Sequence, residues 1–152
     1  MITMHHIAKK RVEFSDTDMA GIVHFSKYLC YMEFAEHDFF RTLGFSGAQK
    51  FGDLTYGWPR VEVKANYHRP LRFENEIEIR LRLTKISSRS LGFEFSIVNL
   101  ADQLIVATGS YTTVCVIQRE NGSMKSTELP KELATRLKSH VDSIDDGSAP
   151  CR

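Results

Sequence analysis

Several scarcities in this chain narrow what it can do. Its 152 residues hold only three cysteines, Cys30, Cys115 and Cys151, widely spaced and without a Cys-x-x-Cys pair. That argues against a disulfide framework, a zinc site and an oxidising compartment. No window approaches the ~18 consecutive apolar residues of a membrane span, and no apolar stretch follows Lys9, Lys10 and Arg11 as an export signal requires. Net charge is nearly absent, at +1 from 20 Lys+Arg against 19 Asp+Glu, so no global field draws the chain to nucleic acid or an anionic membrane. Neither a Gly-x-Ser-x-Gly elbow, a Ser-His-Asp order nor a metal-ligand cluster is present. The expectation is a cytoplasmic protein that needs no metal and no dissociable cofactor.

What is there suffices for one core, since 42% of the residues are apolar in a chain of single-domain length. One domain is expected over 1–142, with a loose tail at 143–152. Ile7, Val12 and Phe14 predict a strand over 6–14 that runs into the polar cluster Ser15-Asp16-Thr17-Asp18, where Asp and Ser side chains compete for backbone amides and make a loop. Tyr28, Met32, Ala35, Phe39 and Leu43 then draw one stripe along a helix over 26–43. Leu29, Phe34 and Phe40 widen its buried face, and Gly44 stops it. Beyond a Gly-rich connection the period falls to two. Val61 and Val63, Ile77 to Leu83, and Leu91 to Ile97 alternate with polar residues, as half-buried antiparallel strands do. Ile105 to Ile117 reads as one long central strand with Gly109 as a bulge, Arg119 to Gly122 as a turn, and Pro130 to Val141 as a short helix. Helix and strands segregate, giving an α+β class in which a curved five-stranded antiparallel sheet wraps one long helix.

The loop Asp16-Thr17-Asp18-Met19-Ala20-Gly21 carries the chemical signal. Two carboxylates precede the amides that open a long helix, and such amides polarise a carbonyl and hold an oxyanion. A carboxylate beside them serves as base or nucleophile, while the bland alternative is that Asp and Ser here only cap and turn. A calcium loop fails at Ala20, where an oxygen ligand belongs, and at Lys27, where a bidentate Glu belongs.

This loop resembles the Asp-x-Asp-x-x-Gly signature of the 4-hydroxybenzoyl-CoA thioesterase family of hot-dog proteins. The helix through Tyr28 and Glu33, the strand ending in Tyr67-His68-Arg69-Pro70-Leu71, the turn before Glu76 to Ile79, and the strand from Gly109 to Val116 follow the family in order, so the resemblance covers about 7–133. It implies a hot-dog fold and an acyl-CoA thioesterase, with Asp18 as catalytic carboxylate, Asp16 in support and the amide near Phe25 on the thioester carbonyl. It also implies that subunits pair through their sheets into a homodimer or homotetramer, with active sites at the dimer interface. His24-Phe25 stands where one bacterial subgroup of the family, associated with the Tol-Pal system, carries Tyr-His, so His24 either lines the pocket or is satisfied by backbone.

For the CoA portion of the substrate, the turn Lys85 to Leu91 concentrates hydroxyls, amides and one guanidinium. Ser88, Arg89 and Ser90 are the candidates by resemblance to family members that hold CoA phosphates there, and a solvated hairpin is the alternative. His68, Arg69 and Arg72 make a second basic cluster that either supports the nucleotide or dresses an edge. Phe25, Tyr28, Phe39 and Trp58 either shape an acyl pocket or form core. Two other functions remain: a hot-dog hydratase or dehydratase, which wants a His paired with a carboxylate, and a non-catalytic acyl-CoA-binding protein.

Overall fold

Period-two alternation becomes a sheet because the Ile77 to Leu83 and Leu91 to Ile97 runs each offer an apolar face to the helix; Val61 and Val63, expected to be half-buried, are instead exposed because their strand lies at the edge of the sheet. In the computed structural model, which describes residues 5–46, 50–51 and 53–145, the elements run β1 (His6–Arg11), α1 (Lys27–Thr42), β2 (Lys50–Phe51), β3 (Leu54–Gly57), β4 (Arg60–Tyr67), β5 (Glu76–Ile86), β6 (Ser90–Asn99), β7 (Leu104–Val114), β8 (Val116–Gln118), β9 (Met124–Ser126) and α2 (Lys131–Asp145). Five of the strands form one antiparallel sheet in the order β1-β5-β6-β7-β4. Its inner face presents Ile77, Ile79, Leu81, Leu91, Phe93 and Ile97, all but buried, and α1 covers it through Tyr31, Met32, Ala35 and Phe39. Burial at this scale is worth roughly 1.5–3 kcal/mol for each large apolar side chain. The expected α+β fold with one long helix on a five-stranded sheet is present.

Three further details differ from the sequence reading. The first strand ends at Arg11, because Asp16 folds Phe14–Asp16 into a 3-10 turn by accepting the Glu13 amide at 3.0 Å. The long final strand divides at Cys115 into β7 and β8, and β8 joins a second sheet, β2-β3-β8-β9, whose short strands are too brief for periodicity to reveal. Gly109 is no bulge. It pairs in regular register with Ala65 and Phe95, and the shift in the β6–β7 pairing lies instead at Ile97/Val98. Glycine serves close approach there, since a Cβ would sit 2.2 Å from the Lys64 carbonyl oxygen and 2.5 Å from the Phe95 ring.

Gly44 ends α1 at φ +82° as expected. The turn at Arg119 to Gly122 closes with a 2.9 Å bond between their backbones. Helix α2 buries Leu133 and Leu137 and packs against β5. The expected tail falls, from residue 146 onward, outside the described residues, as do Gly47, Gly52 and Cys151.

Candidate active site

Strand β1 ends where Val12 donates to the Asn75 carbonyl, and the chain then turns twice before α1. Asp16 is the buried anchor of those turns, 7% exposed. Its Oδ2 accepts from the Glu13 amide and, at 2.7 Å, from the Tyr31 hydroxyl, while Lys27 Nζ stands 4.0 Å from Oδ1. Its carbonyl accepts the His24 amide. One residue thus ties the loop to the first turns of α1. Burial and the bond to Asp16 push the Tyr31 phenol far above its ordinary value, so it remains a donor.

Asp18 faces the opposite way and is exposed. Its amide donates to the Ile22 carbonyl and its carbonyl accepts from Gly21 at 3.0 Å, a tight turn completed by Gly21 at φ +76°. Oδ1 accepts the Ala20 amide at 2.8 Å, and Oδ2 has no hydrogen-bond partner among the described residues. The carboxylate lines a cleft of about 510 Å³ with Ile22, Val23, Phe25, Tyr28, Tyr67 and the His68 to Pro70 run.

At the entrance to α1 the amides of His24 and Lys27 are taken by backbone carbonyls, and that of Ser26 by the His24 ring at 3.3 Å. The Phe25 amide alone of these four has no partner among the described residues. It lies two residues before Lys27, the first residue of a 16-residue helix with Ser26 as its N-cap, whose aligned peptides place partial positive charge near it. His24 itself turns back on the helix start, with Nδ1 2.8 Å from Ser26 Oγ, and is not part of the cleft lining. Tyr28 is 3% exposed, and burial raises its phenol. Its ring meets Tyr67 edge-on at 5.0 Å.

The structure therefore brings Asp18, Phe25 and Tyr28 together, and leaves Ser88, Arg89 and Ser90 apart from them. Tyr67 aligns with Ala107 and that with Ile97, whereas Arg60, Thr113 and Leu91 align at the other end of the sheet. The six-residue offset along β6 corresponds to about 20 Å. The hairpin hydroxyls also serve the turn itself: Ser87 and Ser90 Oγ lie 2.5 Å apart, and the Ser90 amide donates to Ser87 Oγ. Phe39 is fully buried core, and Trp58 stacks on Phe40 at 6.1 Å, so neither lines this cleft.

Two features escaped the sequence reading. Tyr67 was noted only within a motif, yet it is a cleft wall, and the strand end before Pro70 was the available signal. Glu36 sits on the buried stripe of α1, 2% exposed, and receives Arg60 from β4. Burial raises its carboxyl despite the opposing pull of Arg60. Among the described residues no group of three or more His, Cys, Asp or Glu is arranged to hold a metal.

The chain is similar to known proteins in both sequence and fold. A relative from Aquifex aeolicus, named as an esterase, is 33% identical over 135 residues, covering 89% of this chain and 99% of its own. The Escherichia coli O6:H1 acyl-CoA thioester hydrolase YbgC is 28% identical, covering 84% of this chain and 92% of its own. Among solved structures, BH1999 gentisyl-coenzyme A thioesterase superposes with a TM-score of 0.72 at 26% identity, over 84% of this chain and 98% of that one. Residues 12–137 match the Thioesterase-like superfamily, so this chain belongs to that family of hot-dog thioesterases.

Proposed function

We propose that the protein hydrolyses an acyl-CoA thioester to the free acid and CoA, using Asp18 as its reactive carboxylate. The observation that carries this reading is one cleft lined by an exposed Asp18 and by Phe25, whose amide, just ahead of the helix, has no partner among the described residues. A thioester carbonyl oxygen accepting that amide gains its negative charge where the partial charge of the helix lies. Asp18 then either removes a proton from the attacking water or attacks the carbonyl carbon itself. In both routes the C–S bond breaks and the CoA thiolate leaves. In the general-base route water supplies the second oxygen of the acid; in the direct route Asp18 supplies it, and the water that opens the mixed anhydride at the Asp18 carboxyl carbon replaces the oxygen lost.

The acyl group we favour is short or aromatic, in keeping with the Phe25, Tyr28 and Tyr67 rings of the cleft and with the gentisyl specificity in the name of one neighbour. We place CoA contacts of Ser88, Arg89 and Ser90 across a homodimer or homotetramer, since within one chain that hairpin lies at the far end of the sheet. Edge strand β4, with Val61 61% and Val63 39% exposed, is the surface that such pairing through the sheets would cover.

Thiol release from a panel of acetyl-, isobutyryl-, benzoyl- and hydroxybenzoyl-CoA tests the activity. Turnover of none of them rejects the reading. Single-turnover hydrolysis in H₂¹⁸O separates the two routes, because only direct attack leaves label in Asp18.

A further inference from the structure

His68 and Arg69 stand beside Asp18 without a part in the chemistry above. In a regular strand two successive side chains point to opposite faces. Here the Val106 carbonyl accepts both amides, His68 at 2.8 Å and Arg69 at 3.2 Å, next to the shift in the β6–β7 register. Pro70 follows, with no N–H to continue a ladder. The chain leaves the sheet at this point, and Tyr67, His68, Arg69 and Pro70 all line the cleft in succession.

The two side chains differ in how they are occupied. His68 Nε2 meets Thr108 Oγ1 at 3.1 Å. The Arg69 guanidinium has no ion pair or hydrogen bond among the described residues, although Arg11, Arg41, Arg60, Arg80, Arg82 and Arg136 are each paired with a carboxylate. Among the described residues Asp18 is the only carboxylate in the lining, and its work requires it to stay unblocked. Arginine is also the side chain whose planar fork suits an oxyanion with two oxygens.

We infer that Arg69, with His68 beside it, forms an anion-recognising subsite of the cleft that takes an oxyanion group carried by the thioester substrate itself. The inference rests on the thioesterase reading. Two parts of such a substrate supply that chemistry: a carboxylate on the acyl group and the phosphates of CoA.

The test compares wild type with Arg69→Gln on glutaryl-CoA, valeryl-CoA and the two corresponding pantetheine thioesters, which lack phosphates. Loss of a charge-assisted contact should raise KM about tenfold or more. An increase confined to the glutaryl compounds identifies an acyl carboxylate, and one confined to the CoA compounds identifies phosphate. Arg69→Lys should recover part of the loss. KM values within twofold of wild type on all four substrates overturn the subsite. Because this could be confused with a failure of the hydrolytic reading, glutaryl-CoA and CoA are also titrated calorimetrically into the Asp18→Asn protein with and without Arg69→Gln. Affinity that falls tenfold for either probe supports the subsite whatever the turnover, and equal affinity or no binding of both rejects it.

Discussion

The Tyr67 hydroxyl donates a 3.0 Å hydrogen bond to the carbonyl of Phe25, joining the end of β4 to the residue whose amide has no partner among the described residues. Tyr67→Phe keeps the ring packed on Tyr28 and removes this tether. We expect kcat to fall by roughly tenfold with a smaller change in KM, because a loosened amide loses more in the transition state than in binding. Steady-state kinetics on the best acyl-CoA decides it, and an unaltered kcat assigns the hydroxyl to packing alone.

Asp18→Asn preserves an oxygen for the Ala20 amide, so the turn should survive. Basicity is what disappears. Hydrolysis should drop on the order of 10²-fold or more, with the circular dichroism spectrum and melting temperature close to wild type. Activity near the original level would remove Asp18 from the mechanism.

Asp16 is expected to behave differently. Asp16→Ala strands the buried Tyr31 hydroxyl and the Glu13 amide, a change that costs about 1–3 kcal/mol for each buried group left unpaired. Urea unfolding should show the larger loss for Asp16→Ala, and Asp16→Asn should cost less activity than Asp18→Asn. A greater kinetic loss at position 16 would exchange the two roles.

Glu36 offers a test by pH. Burial raises its folded carboxyl above the ordinary glutamate value, so the folded state holds this proton more tightly than the unfolded chain. The group contributes most stability below that value, and the contribution declines as pH rises through the folded pKa. Relative to wild type, Glu36→Gln should therefore gain ground as pH rises from 4 upward, read from denaturant melts across pH. A difference that stays flat would show that Arg60 cancels the effect of burial.

Gly109→Ala drives a methyl group into the Lys64 carbonyl and the Phe95 ring. With backbone on one side the strain has little room to relax, and a loss of at least about 1–3 kcal/mol is expected. A melting temperature within a degree of wild type would mean that β4 and β7 can separate slightly without cost.

How much of this was legible beforehand follows from the range of the forces involved. The helix over 26–43 and the alternating strands were readable because an apolar face repeats within each segment. The Asp18 loop was readable because polar residues and a glycine at fixed offsets mark a turn. Strands of two to four residues, such as β2, β3 and β9, contain too few repeats to register. The hairpin at Ser88 to Ser90 was rich in the right groups, yet composition says nothing about which end of a sheet a hairpin occupies.

The sequence by itself determined the α+β class, the buried stripe of α1 and the local geometry of the Asp18 turn, because each depends on neighbours a few residues apart. Tertiary structure alone decided that Tyr67 meets Phe25 across 42 positions, that Asp16 is an anchor while Asp18 faces the cleft, that Gly109 is a point of close contact, and that Arg69 lines the same cleft as Asp18 without a partner among the described residues. Those outcomes depend on strand order and register, which arise from the packing of a whole sheet on one helix and have no counterpart in any local pattern.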